Sequence, residues 1–208
     1  MARKKKGLLI VVSGPAGVGK GTVDAALMAK HPEIKMSVSA TTRAPRPGEI
    51  EGVHYFFKTK EEFDAMVEQN AFLEYMHVFG MNYYGTPKAF VEAERSKGNH
   101  VILEIDVQGA MKVKEACPDA VLVFIAPPSL KILKDRLVGR GTETQESIDV
   151  RTATALEELK KLPDYDYMVV NDVVDEAVCD MEAILSAELN RTGRNEELIT
   201  KLSGGETI

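Results

Sequence analysis

The chain has 208 residues, 44% of them hydrophobic, and a formal net charge of -6. That length and apolar content suffice for a sizeable core within one main domain and exclude disorder as the default. The acidic balance argues against a general nucleic-acid binder, which needs a broad cationic face, so any basic site must be local.

Along the chain, the basic run Arg3-Lys4-Lys5-Lys6 reads as a solvated tail. The apolar run Leu8-Leu9-Ile10-Val11-Val12 is too short for a signal peptide or a bilayer span, so no membrane association is expected. Leu8–Ser13 reads instead as a strand buried on both faces of a parallel sheet, followed by a helix over Gly19–Lys30. Similar apolar runs at Val101–Asp106, Val121–Ala126 and Tyr167–Asn171 alternate with helical spacing at Lys88–Lys97, Val107–Ala116, Ser129–Val138, Glu146–Leu162 and Asp175–Asn190. That alternation implies βαβ crossovers and an α/β core.

Residues 37–86 break the rhythm. Short strands are expected at Ser37–Ala40, Tyr55–Phe57, Phe72–His77 and Asn82–Tyr84 around one helix near Lys60–Gln69, which makes a small α+β lobe. Gly139–Thr144 is polar and flanked by Arg136, Arg140 and Arg151, the character of a mobile flap. Cys117 and Cys179 lie far apart without metal-ligand spacing, which fits a reducing, cytoplasmic setting. His31, His54, His77 and His100 are scattered and suggest no metal site.

The segment Gly14-Pro15-Ala16-Gly17-Val18-Gly19-Lys20-Gly21-Thr22 joins an expected strand to an expected helix. Glycines allow close backbone approach to phosphate oxygens, the helix N-terminus favours an anion, and Lys20 places a charge on the β and γ phosphates. The usual hydroxyl directly after the lysine is replaced by Gly21, so direct magnesium ligation by the loop is not expected. Mg²⁺ held by ATP phosphates and water suits an ion that dehydrates reluctantly. Further on, Arg43 and Arg46 are separated by Ala44-Pro45, which prevents a regular helix and lets two guanidinium forks converge on one dianion. Tyr55 and Tyr84 in neighbouring strands can donate hydroxyls to the same group.

From these residues onward the chain resembles the guanylate kinase family, of bacterial type, among the nucleoside monophosphate kinases. The resemblance rests on Ser-x-Ser-x-Thr-Thr-Arg-x-Pro-Arg-x-Gly-Glu, Phe72-Leu73-Glu74, Asn82-Tyr83-Tyr84-Gly85-Thr86, Asp106-Val107-Gln108-Gly109, Ile125-Ala126-Pro127-Pro128 and Arg140-Gly141-Thr142-Glu143. It implies phosphoryl transfer from MgATP to GMP, and to dGMP as well, within purine nucleotide metabolism. Arg43, Arg46, Tyr55 and Tyr84 would hold the GMP phosphate, while Ser39, Glu74, Thr86 and Asp106 would read guanine, whose N1–H and N2 amine suit carboxylate and hydroxyl partners. Residues Gly14 to Thr22, with Arg136, Arg140 and Asn171, would bind ATP; Lys20, Arg43, Arg136, Arg140 and Arg151 would carry catalysis, with no protein metal ligand assigned.

The implied architecture is a single domain over 1–208. Its P-loop kinase core, a parallel sheet flanked by helices, comprises 7–36, 88–130 and 158–190, with a GMP-binding lobe at 37–87 and an arginine-rich lid at 131–157. Expected partners are ATP and GMP alone, in a monomer or homodimer. Met81 looks like one extra residue against the family's pattern, and Glu104 stands where the family commonly has Asp. Two other readings are a kinase for another monophosphate, which the acceptor lobe disfavours, and a non-catalytic interaction module, which the intact Gly14, Gly19 and Lys20 disfavour.

Overall fold

The core is organised by β1 (Leu9–Ser13), every residue of which is buried. Its two faces feed different clusters: Leu8, Ile10 and Val12 point to one side of the sheet, Leu9 and Val11 to the other. A strand apolar on both faces can only sit centrally, with helices above and below. In the computed structural model, which describes residues 6–78, 81–139 and 144–205, β1 lies in the middle of a parallel five-stranded sheet of order β2-β7-β1-β8-β9. The others are β2 (Ile34–Met36), β7 (His100–Glu104), β8 (Val121–Ala126) and β9 (Tyr167–Val170).

Helices α1 (Lys20–Lys30) and α7 (Val174–Asn190) pack together over one face. Helices α3 (Lys88–Ser96) and α4 (Val107–Ala116) cover the other, with Val91, Ala110 and Val113 in its core. The second sheet, order β4-β3-β6-β5, joins β3 (Ala40–Thr41), β4 (Phe56–Phe57), β5 (Phe72–Val78) and β6 (Asn82–Pro87). Helix α2 (Lys60–Glu68) closes it with a complete capping box at Thr59 and Glu62. Phe63 on that helix stacks on Phe72 at 4.5 Å between ring centroids, giving the lobe its own small core.

Helices α5 (Leu130–Gly139) and α6 (Gln145–Leu159) pack on each other, and α8 (Glu196–Ser203) ends the described chain. Residues 140–143, most of the expected flap and with it Arg140, lie outside the described residues, as does most of the terminal basic run. Gly80, which adjoins the extra Met81, lies outside them too. Among the described residues no helix is long and apolar enough to cross a membrane.

Several expected bounds need correction, among them that of β6, which runs past Tyr84 to Pro87. Ser37–Ala40 is not a strand: only Ala40 continues into β3, because Ser37 is still bonded through its N–H to Ile102 of the core sheet at 2.8 Å and the chain is crossing between sheets. Helix α6 stops at Leu159, before a 3₁₀ turn over Leu162–Asp164 with Pro163 in it. The strand expected to Asn171 ends at Val170, and that expected to Asp106 ends at Glu104, where Asp106 starts the next helix.

Candidate active site

Parallel sheets bind ligands beyond the carboxyl ends of their strands, where loops lead into helices. Here β1 runs into Gly14–Gly19 and α1 begins at Lys20. Gly14 has φ 147° and Gly19 φ 96°; a Cβ at Gly14 would lie 2.2 Å from the Ile125 carbonyl, and one at Gly19 2.6 Å from Asn171 Nδ2. Neither position accommodates a side chain, so the backbone N–H groups of the loop stay accessible to phosphate. Lys20 folds over the loop, donating from Nζ to the Gly14 carbonyl at 2.7 Å and the Pro15 carbonyl at 3.3 Å.

The loop is braced from behind. Asn171, 3% exposed, donates Nδ2 to the Val18 carbonyl at 2.8 Å, and its Oδ1 has no hydrogen-bond partner among the described residues. Arg136 on α5 donates from Nη1 to the Asn171 carbonyl at 2.8 Å and to the Val18 carbonyl at 3.4 Å. Two residues expected at ATP are thus bound to the loop's own backbone. Arg151 sits on α6, with Nε donating to Ser147 Oγ at 3.4 Å.

Carboxyl groups surround Lys20. Asp24, one helical turn on, is fully buried with neither oxygen hydrogen-bonded among the described residues; burial first, then Glu104, pushes its carboxyl up to about 7, against the opposing pull of Lys20. Glu158 on α6 is raised by burial, with Lys20 acting in the opposite direction. A Cβ at Gly21 would lie 3.4 Å from Glu104 Oε2, so that carboxylate stands beside the position of the missing loop hydroxyl.

Between the two sheets lies a cleft of about 330 Å³, lined by Ser39, Tyr55, Thr86 and Glu104 among others. At its base end Thr86 donates its hydroxyl to Glu74 Oε1 at 2.8 Å, in the protein interior. Burial holds the Glu74 carboxyl above its ordinary range, with Thr86 pulling it down and Asp106 pushing it up. Asp106 caps α4, its Oδ1 accepting from the Gly109 N–H at 2.8 Å, which leaves the second oxygen for other contacts. At the other end Arg43 donates Nε to the Tyr84 hydroxyl at 3.2 Å, and its guanidinium lies 5.4 Å from the centre of the Tyr55 ring. Tyr55 and Tyr84 meet edge to face at 5.9 Å. Arg46 is exposed and its side chain makes no hydrogen bond among the described residues.

The structure therefore brings Arg43, Tyr55 and Tyr84 into one cluster and Glu74 and Thr86 into another, with Ser39 in the same cleft. Sequence reasoning missed Ser37 and His54, which also line it. Ser37 was legible as the same-face partner of Ser39 in an extended segment, two residues apart; His54 carried no signal.

Comparison with known proteins agrees with this geometry. The guanylate kinase family pattern matches residues 6–188. A guanylate kinase of Caldanaerobacter subterraneus is 52% identical over 202 residues, covering 97% of this chain and 98% of the relative. One from Halalkalibacterium halodurans is 55% identical over 185 residues, covering 89% and 90%. The crystal structure of guanylate kinase from Anaplasma phagocytophilum superposes with a TM-score of 0.70 at 35% identity, covering 92% of each chain. With the family pattern over residues 6–188 and such similarity across nearly the whole length, the chain belongs to the guanylate kinase family.

Proposed function

We propose that this chain transfers the terminal phosphoryl group of ATP to GMP, giving ADP and GDP, and accepts dGMP in the same way. The single observation that carries this reading is the buried Thr86–Glu74 pair in the same cleft as the Arg43–Tyr84–Tyr55 cluster. Guanine offers N1–H and an N2 amine to the second oxygen of Glu74 and to Asp106, while adenine has a lone pair at N1. Sites built around a substrate's hydrogen bonds reject an analogue lacking them by about 10⁴–10⁵.

The acceptor is a phosphate oxygen already ionised near neutral pH, so no general base is needed. The obstacle is repulsion between two polyanions and the charge spread over the transferring group. Loop N–H groups and Lys20 hold the donor; Arg43, Arg46, Tyr55 and Tyr84 hold the acceptor phosphate; Arg140 and Arg151 close from the lid, while Arg136 joins the lid to the loop. Asn171 contributes on the adenine side through its unpartnered Oδ1 and through its grip on Val18.

Mg²⁺ carried with ATP would neutralise charge on the phosphates. Glu104 beside Gly21 is the hard oxygen donor that fits the ion or its waters, in keeping with the one or two carboxylates magnesium commonly takes. The remaining assignments are a core of 7–36, 88–130 and 158–190, an acceptor lobe of 37–87 and a lid of 131–157. The enzyme works in the cytoplasm as a monomer or homodimer, without nucleic-acid or membrane partners; free Cys117 and Cys179 suit a reducing compartment.

The test is a coupled ADP-release assay with MgATP and a panel of GMP, dGMP, AMP and dTMP. Preference for AMP or dTMP overturns the acceptor assignment, and GMP binding without turnover points to an interaction module instead.

A further inference from the structure

The chain after Arg43 is folded around a carboxylate. In Arg46-Pro47-Gly48-Glu49 the Glu49 N–H donates to the Arg46 carbonyl at 3.0 Å, and Gly48 takes φ 87°. Proline followed by a positive-φ glycine is the pattern of a type II turn, which only glycine adopts readily at that place. The turn sends the Glu49 side chain back toward the arginines. Its Oε2 accepts from the Arg46 backbone N–H at 2.7 Å, and its Oε1 accepts from Arg43 Nη2 at 2.7 Å.

Arg43 is anchored on its other sides as well. Nε donates to the Tyr84 hydroxyl at 3.2 Å and Nη1 to the Ala44 carbonyl at 2.8 Å. Three of the five guanidinium N–H groups are committed, one on each nitrogen, so each terminal nitrogen keeps one for a ligand. Arg46, by contrast, extends into solvent from the same turn.

We propose that Glu49 is a positioning residue for the acceptor's phosphate: it fixes Arg43 as a pre-set fork and closes the 43–49 turn, leaving Arg46 as the arm that folds onto the bound phosphate. This rests on the acceptor reading above. A carboxylate beside an incoming dianion is repulsive, so its benefit lies in removing Arg43's rotamer freedom before the nucleotide arrives. A carboxylate that merely stood in for the phosphate would be displaced on binding. Displacing Glu49 would strip the Arg46 N–H of its acceptor, and Pro45 and Pro47 have no N–H to reorganise the turn with. The Glu49 carboxyl, held down to about 2 by Arg43 and the Arg46 amide, is ionised throughout the working range.

The experiment compares Glu49→Gln and Glu49→Asp with the wild type in steady-state kinetics, calorimetric GMP binding without ATP, and thermal unfolding. Glutamine keeps one acceptor oxygen and cannot serve both partners. Glu49→Gln should raise KM for GMP about tenfold, the size of one charge-assisted hydrogen bond, with KM for ATP within about twofold and the melting temperature little changed. Glu49→Asp, which keeps both oxygens, should recover part of the loss, and in an Arg43→Ala background the glutamine change should cost less than in the wild type, because only the bond to the Arg46 amide is left to weaken. Unchanged GMP affinity, or a lower KM as expected of a displaced stand-in, overturns the positioning role. A wild-type protein that neither binds nor phosphorylates GMP overturns the acceptor reading itself, a result distinct from either.

Discussion

Thr86 donates its hydroxyl to Glu74 Oε1 at 2.8 Å, with Thr86 fully buried and Glu74 only 8% exposed. The bond orients the carboxylate before any base arrives and supports its ionised form against burial. Glu74→Gln replaces an acceptor with a donor toward guanine N1–H, and the GMP-over-AMP ratio of kcat/KM should fall by about a hundredfold or more. An unaltered ratio removes Glu74 from base recognition.

The same pair predicts a pH effect. Glu74 must be ionised to accept from guanine, and its carboxyl is raised, first by burial, with Thr86 the largest opposing influence. Thr86→Val removes that influence, so the acid limb of kcat/KM for GMP should move to higher pH, while the acid limb for ATP at saturating GMP stays in place. Superimposable GMP profiles would show that the hydroxyl does not govern the carboxyl.

Asn171 braces the loop through the Val18 carbonyl. Asn171→Ala should raise KM for ATP several-fold with a smaller change for GMP, and should cost about 1–3 kcal/mol of stability by leaving a buried carbonyl with less compensation. Equal changes in both Michaelis constants would place the effect elsewhere than the loop.

Asp24 gives a stability dependence of definite sign. Its folded carboxyl lies near 7 against an ordinary 3.8, so the folded state holds the proton more tightly than the unfolded chain. Stability from this group is full below about pH 4, declines as pH rises toward 7, and is absent above it. Asp24→Asn should therefore be more stable than wild type at pH 8, by about 2 kcal/mol or more, with the advantage shrinking toward pH 4. Parallel denaturation curves at the two pH values would contradict the buried ionisation.

Glu188, 1% exposed at its side chain, anchors the end of α7. It accepts from the Tyr167 hydroxyl at 2.8 Å, Arg194 Nη2 at 3.0 Å and Arg191 Nη1 at 3.2 Å. Burial pushes its carboxyl up, but Tyr167 and Arg194 together bring it below the ordinary value. Arg194→Ala removes one partner of a buried charge and should cost about 3 kcal/mol in chemical denaturation, with GMP and ATP constants unchanged. A loss under half that would show that Tyr167 and Arg191 suffice.

Much of this molecule follows from its sequence. Val121–Ala126 and Val107–Ala116 have the expected bounds in β8 and α4, because a strand buried on both faces reads as an unbroken apolar run and Asp106 supplies its helix with a cap. The phosphate loop and the family were legible for the same reason: glycines at forced backbone angles and a lysine at a fixed spacing are local features. Strand β2 and helix α8 were not foreseen, since three residues at a sheet edge and eight in a polar tail carry too little periodicity. What only the tertiary structure decided is which site residues are already engaged. Glu74 with Thr86, Arg43 with Tyr84, and Asn171 with Val18 are pairs 12, 41 and 153 residues apart. No local rule connects them: β6 pairs with β5 and with β3 in the second sheet, Val18 and Asn171 follow two strands of the parallel sheet, and buried polar groups must find partners wherever the fold delivers them.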